Sequence, residues 1–404
     1  MSNAAAEATL LRRLTSIKHV LLVLSGKGGV GKSSVSVQMA LSLLASDPKL
    51  KIGLLDVDLT GPSLPRMLGI EGKEVLSSRD GWVPVYLDTG EEEGGKLACM
   101  SIGFLLKNSK ESVVWRGPKK NAMIKQFLGQ VSWGELDYLI IDTPPGTSDE
   151  HISLLETLRP LLVEPPADSP PLPTLSSLLV STPQALALLD VSKELSFVRR
   201  TKLPLLGLIE NMSGYVCPHC GDVVGIFGQG GGESFCKLEN EKQGDEYEGG
   251  CRFLGRVPID RELVALLDDV AENGNAGLLE EGETRTPRPQ RGEEGKKTLV
   301  ERYREIPSFK VVKSLAEDVK KLIEEQREKG DNSFTAGVDP VPQREPIHVD
   351  FTMNKEGEPI CKAHKNADCK SCYNFKKQLV KLTKEGQKKA KQDKKNNPVS
   401  NLFQ

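Results

Sequence analysis

The 404-residue chain contains no apolar run approaching the roughly 20 residues that a membrane-spanning helix needs. The first residues do not read as a secretory leader either. The apolar stretch Val20–Leu24 is short and runs directly into a glycine-rich loop. Arg12 and Arg13 are compatible with a transit peptide, yet the loop follows so soon that little could be removed. No sign of charge dominates: 54 Lys and Arg against 56 Asp and Glu leave a net charge of -2, so neither nucleic acid nor a membrane is an expected partner. Cysteine is sparse as well. There are eight, five of them in CxxC-like groups, which points to metal or redox chemistry rather than a secreted disulfide framework. Internal repeats are absent, and the expected location is the cytosol.

What the chain does have is alternation. Val20–Leu24, Lys51–Asp56, Asp137–Asp142, Ser177–Ser181 and Leu205–Ile209 read as strands buried on both faces. Helical patterns such as Ser33–Leu44 and Pro183–Val198 lie between them. This predicts an α/β fold with a doubly wound, mostly parallel sheet and ligands at the carboxyl ends of its strands. The expected organisation is an N-terminal segment 1–18, a main α/β domain 19–330 and a polar, lysine-rich extension 331–404. Two insertions are expected inside the main domain: Arg159–Leu175, a surface loop with six prolines, and Glu272–Lys297, rich in Gly, Glu, Pro and Arg. Lys313–Gln326 closes the domain as an amphipathic helix with Leu315, Val319, Leu322 and Ile323 on one face.

Gly26-Lys27-Gly28-Gly29-Val30-Gly31-Lys32-Ser33 matches the phosphate-loop pattern GxxxxGK[ST] between a buried strand and a helix. Its backbone N–H groups and the positive end of the following helix suit ATP phosphates. Lys32 is placed to reach the β- and γ-phosphates, and Ser33 to ligate Mg²⁺. Asp142 ends a strand before Thr-Pro-Pro-Gly, where it can hold the Mg²⁺ water shell. Asp56 and Asp58 end another strand, and simple turn capping is the alternative role for Asp58. Gly61 and Gly146 fit loops that move when the γ-phosphate leaves.

The early lysine of KGGVGKS resembles the deviant phosphate loops of ATPases that work as dimers. That resemblance implies that Lys27 stabilises charge in a partner's site, as an arginine finger does elsewhere. It also implies that Asp58 orients attacking water, so that Lys27, Lys32, Asp58 and Asp142 form the catalytic set, and that Asn211 and Pro258 contact adenine.

Glu210–Cys220 reads ENMSGYVCPHC. Cys217 and Cys220 can bite one metal centre through two thiolates, two short of a tetrahedral zinc or a [4Fe–4S] cluster. A dimer supplies the missing two if the motif lies near its axis. Alternatively, Cys236 and Cys251 complete an intrachain zinc knuckle, or the CxxC is a thioredoxin-like redox pair. Otherwise Cys236 and Cys251 are expected to be one buried and one surface thiol.

GKGGVGKSS, DVDLTGPSLPRMLG, VVWRGPKK, DYLIIDTPPGTSDEH, NMSGYVCPHCG and FLGRVPID together resemble the Mrp/nucleotide-binding-protein family of cytosolic iron–sulfur cluster assembly ATPases, from about His19 to Gly330. No cysteine precedes the phosphate loop, so the resemblance is to the shorter type, which lacks the N-terminal ferredoxin-like motif. It implies a scaffold that holds a labile bridging [4Fe–4S] cluster on Cys217 and Cys220 and passes it to apoproteins at the expense of ATP. It further implies a heterocomplex with a longer paralogue, expected as a heterotetramer, with a homodimer as the other arrangement, and contacts with targeting factors.

Outside the resemblance, Cys361, His364, Cys369 and Cys372 offer four soft ligands for Zn²⁺; unrelated thiols are the alternative. Residues 374–395 hold nine lysines against two acidic residues and read as a solvated helix. His151, in TSDEH, is expected to pack or hydrogen-bond near the second of the moving loops rather than act as a base. Two other functions compete: a positioning ATPase, which would need a membrane-binding C-terminal helix, and a zinc-stabilised interaction protein.

Overall fold

The computed structural model describes residues 3–59, 61–87, 95–105, 117–159, 172–216, 223–228, 230–243, 250–272, 297–328, 351–353 and 359–361. Two compact units are present, Met1–Val338 and Asp339–Gln404.

The first unit begins with α1 (Asn3–Leu14), β1 (Ile17–Leu24), α2 (Lys32–Ser46), β2 (Lys51–Asp56) and the short α3 (Leu64–Met67). Next come β3 (Leu76–Ser78), β4 (Gly81–Val83), β5 (Val85–Leu87), β6 (Lys96–Ser101), α4 (Gly117–Gln130), β7 (Leu136–Asp142) and α5 (Asp149–Leu158). β8 (Thr174–Ser181), α6 (Ala185–Arg200), β9 (Leu205–Val216), β10 (Val223–Val224) and α7 (Gly231–Gln243) follow. β11 (Phe253–Ile259), α8 (Arg261–Glu272), α9 (Leu299–Arg304) and α10 (Phe309–Glu328) complete it. In the second unit β12 (Phe351–Met353) pairs antiparallel with β13 (Pro359–Cys361).

Seven strands run parallel in the order β11-β9-β8-β1-β7-β2-β6, with antiparallel β5 on one edge and β10 folding back on the end of β9. This is the doubly wound sheet that the alternation of elements predicts. Its layers follow from residue parity along each strand. Leu21 and Val23 of β1 join Tyr138 and Ile140 of β7 under α2, α8, α9 and α10. Val20, Leu22 and Leu24 join Leu139 and Ile141 on the opposite face, under α1, α4, α5 and α6. Each such buried aliphatic side chain contributes about 1.5–3 kcal/mol, which favours this register over a one-residue slip. β1 is central, and the chain leaves it toward β2 on one side and reaches β8 on the other, so the crevice beside β1 is the switch point where ligands bind.

Several elements differ from expectation. β1 starts at Ile17, which pairs with Leu136, and α1 precedes it. Thr174 and Leu175, expected in a surface loop, are buried in β8, where they pair with His19 and Val20. Pairing with the central strand overrides the proline-rich composition around them. β9 continues from Ile209 to Val216 because β10 and β11 extend its pairing. Residues 160–171 and 273–296, the bulk of the expected insertions, lie outside the described residues.

Candidate nucleotide-binding site

β1 delivers the phosphate loop, and α2 rises from it with Gly31 as its N-cap at φ 79. A side chain is excluded at Gly31 on two grounds: the left-handed backbone, and the Nδ2 of Asn211, which would lie 2.2 Å from a Cβ there. At Gly26 a Cβ would fall 2.3 Å from the Asp190 carbonyl carbon, so α6 lies directly against the start of the loop.

Lys32 is buried, and its Nζ donates to Oδ1 of Asp142 at 2.6 Å. Ser33 Oγ donates to Oδ2 of Asp142 at 2.6 Å, and Ser36 Oγ to Oδ1 at 2.8 Å. Asp142 ends β7 and Asp56 ends β2, directly opposite each other in register. Asp56 accepts from Ser101 Oγ at 3.1 Å and, through Oδ1, from the backbone N–H of Asp58 at 3.1 Å. Burial, and then the neighbouring Asp142 carboxylate, push the Asp56 carboxyl up to about 8 despite Lys32. One buried lysine thus bonds Asp142 and acts electrostatically on Asp56, an arrangement open to exchange once phosphate competes for the ammonium. Ser33 and the carboxyls that end β2 and β7 are hard oxygen donors, a set that fits Mg²⁺.

Gly146, at φ 71, donates its N–H to the Ser25 carbonyl at 2.7 Å and so locks the Thr-Pro-Pro-Gly turn to β1. α5 then starts with a capping box in which Ser148 and the His151 side chain bond reciprocally. Burial, then Lys32, lowers His151 to about 4, so it is neutral at pH 7 and acts as a capping residue. Lys120 of α4 donates to Glu150 at 2.5 Å, fastening the same helix start.

On the other side of the loop, Asn211 Nδ2 donates to the Val30 carbonyl at 2.8 Å. Val257 of β11 pairs with Asn211, which brings the buried Pro258 beside it. Lys27 is partly exposed within the loop.

The family model described as NUBPL iron-transfer P-loop NTPase (ParA) matches residues 16–285. The chain belongs to this family. Among its relatives, the cytosolic Fe-S cluster assembly factor CFD1 of Mycosarcoma maydis is 55% identical over 283 residues, 69% of this chain and 71% of the relative. The cytosolic Fe-S cluster assembly factor NUBP2 homolog of Trichoplax adhaerens is 51% identical, covering 65% of this chain and 89% of the relative. A nucleotide-binding protein of Archaeoglobus fulgidus, solved in complex with ADP, is 33% identical with a TM-score of 0.50, covering 66% of this chain and 91% of that one.

In this family member the structure brings together Lys32, Ser33, Asp56, Asp58 and Asp142, with Asn211 and Pro258 flanking the loop. Ser36 and Ser101 complete the carboxylate shell without having been anticipated; a serine one turn after Lys32 was the available signal for the first. Cys217 and Cys220 lie outside the described residues, as do Arg116, His364, Cys369 and Cys372. Cys361 is described as part of β13. Among the described residues no group of three or more His, Cys, Asp or Glu could hold a metal.

One expectation is corrected. Neither Cys236 nor Cys251 is a surface thiol: both are buried, with their sulfurs 2.9 Å apart. Asn240 causes this by accepting from the Cys251 N–H at 2.7 Å and donating to its carbonyl at 3.2 Å, which pulls the start of β11 onto α7.

Proposed function

We propose that the chain is an ATP-hydrolysing scaffold of cytosolic iron–sulfur protein assembly. In this reading two protomers face each other and share a labile [4Fe–4S] cluster on Cys217 and Cys220, which is then passed to apoproteins. The names of the CFD1 and NUBP2 relatives support the pathway and the cytosolic location. The observation that carries the reading is β9 itself. It presents Asn211 to the phosphate loop and ends at Val216, one residue before Cys217. A single strand therefore joins the nucleotide to the thiolates.

In this reading the residues take the roles that the family resemblance implies. Lys32 leaves Asp142 for the β- and γ-phosphates, and Ser33 and Asp142 hold Mg²⁺, which supplies charge neutralisation on the phosphates. Asp58 orients the attacking water, Asn211 and Pro258 flank adenine, and Lys27 acts across the interface. Leu186 and Leu189 support such an interface. They are exposed near the start of α6, one turn or less from the Asp190 that abuts Gly26. The working complex is a heterotetramer with a longer paralogous ATPase, and a homodimer is the fallback. The tail cysteines, with His364, form a separate zinc site.

A positioning ATPase would need a free amphipathic helix at the end of the domain. The apolar face of α10 is instead buried, through Val312, Leu315, Val319 and Ile323.

The test is anaerobic reconstitution with ferrous iron and sulfide. A broad visible band is expected in the wild type, and its loss in the Cys217→Ala/Cys220→Ala variant. Stoichiometric zinc without iron uptake, or a strictly monomeric protein with nucleotide and partner both present, refutes the reading.

A further inference from the structure

β9 is interrupted where it passes the phosphate loop. Asn211 pairs with Val257 of β11, but the next pair is Tyr215 with Ile259, so β9 carries extra residues at 212–214. Met212, within this bulge, has φ 56. A non-glycine residue holds that conformation only where its surroundings compel it, and bulges of this kind collect beside functional sites.

The two residues before the bulge face different partners. Asn211 holds the Val30 carbonyl of the phosphate loop. Glu210 is wholly buried, and its carboxylate gathers three hydrogen bonds from both sides of the cysteine segment. Ser213 Oγ donates to Oε1 at 2.6 Å, from the stretch that leads into Cys217. The N–H of Gly232 donates to Oε2 at 2.6 Å and that of Gly230 to Oε1 at 3.4 Å, from the stretch that follows Cys220. Arg256 Nε lies 3.5 Å from Oε1 and supplies the countercharge. Gly230 and Gly232 stand at the start of α7, whose first N–H groups have no partner within the helix and whose dipole favours a carboxylate. Glu210 therefore caps α7 from a neighbouring strand. The same carboxylate fastens the residues on either side of Cys217 and Cys220, while the next residue fastens the phosphate loop.

We infer that Glu210 is a positioning residue that carries the state of the phosphate loop to the segment bearing Cys217 and Cys220. Displacement of Val30 by bound nucleotide moves Asn211, and the strained Met212 bulge gives β9 a place to yield. Glu210, one residue away, then shifts Ser213 and the start of α7 together. The coupling gains its purpose, nucleotide control of cluster release, from the function proposed above; its existence does not depend on a cluster being bound.

The experiment is alkylation of the full chain by iodoacetamide, with rates at Cys217 and Cys220 followed by peptide mass spectrometry, without nucleotide and with ATP and Mg²⁺. Wild type is expected to show a nucleotide-dependent change of about fivefold or more at these two positions. Glu210→Gln keeps the shape but loses the charge and one acceptor oxygen; it is expected to bind a fluorescent ATP analogue as wild type does, with alkylation rates that no longer respond to nucleotide. Wild-type rates indifferent to nucleotide overturn the inference. So does a Glu210→Gln variant that keeps the full response, or one that loses it only together with nucleotide affinity. Should that variant not fold, Ser213→Ala removes a single arm and is expected to reduce the nucleotide response at least twofold; an unchanged response then overturns the inference. Iron uptake is measured separately, so failure of the cluster reading leaves this result interpretable.

Discussion

Replacing Glu194 with leucine should stabilise the protein at pH 8 and change it far less at pH 5. Glu194 lies on α6 with no exposed surface, and neither carboxylate oxygen has a hydrogen-bond partner. Burial raises its carboxyl from 4.5 to about 7. Below pH 4.5 the group is neutral in both folded and unfolded chains and costs nothing electrostatically. As pH rises toward 7 the unfolded chain ionises while the folded one keeps its proton, so stability falls across that interval. Above it the full difference, about 3 kcal/mol, is lost. Leucine has a similar volume and no proton to lose, so the variant should gain about that amount at pH 8. His19 and His151, both lowered to about 4, act in the opposite sense, removing stability as pH falls from 6.5 toward 4. Taking variant minus wild type at each pH cancels that contribution. The assay is urea unfolding followed by tryptophan fluorescence at pH 5 and 8. A variant whose gain is the same at both values, or that is less stable at pH 8, would refute the reasoning. Glu194→Gln should share the pH independence with a smaller gain, because its amide would be buried without partners.

Three further outcomes are expected. Lys32→Met strands the buried Asp142 carboxylate and should cost about 3 kcal/mol in the nucleotide-free protein, with thermal stability restored, but not ATP binding, by adding Asp142→Asn. Gly31→Ala places a side chain at φ 79 against Asn211 and should weaken binding of a fluorescent ATP analogue by about five- to thirtyfold, since holding the loop in its left-handed conformation then costs ~1–2 kcal/mol. Lys27→Gln should leave that binding intact while ATP hydrolysis in the assembled complex falls about a thousandfold; a loss under tenfold would exclude a role across the interface.

The phosphate loop and the central strands were legible because a strand buried on both faces must be apolar along its length, as in Lys51–Asp56, whose bounds agree with the sequence reading. β11 was not, because its FLGRVPI carries a glycine and a proline that demote a strand in isolation and are tolerated only beside β9. Thr174 and Leu175 were hidden by the prolines before them, and their pairing partners His19 and Val20 lie more than 150 residues away in sequence. In the site, Lys32, Ser33 and Asp142 share a recognisable pattern. Ser101 has none, since it reaches Asp56 only because β6 lies beside β2. The nearness of Cys236 to Cys251 was unreadable for a similar reason: it depends on one carboxamide, Asn240, bridging a helix to a strand.

The helix that follows the phosphate loop is finished by the far end of its domain. Tyr303 is buried against α2, its hydroxyl within 2.9 Å of Ser42 Oγ and 3.3 Å of the Gln38 carbonyl, and α10 packs on the same helix. During synthesis, then, the loop leaves the ribosome long before its roof does. Until the chain has emerged to about Glu328, one flank of α2 presents bare aliphatic surface. Nascent protein stalled before that point is therefore a natural client for chaperones, and competence to bind ATP should arrive late and all at once.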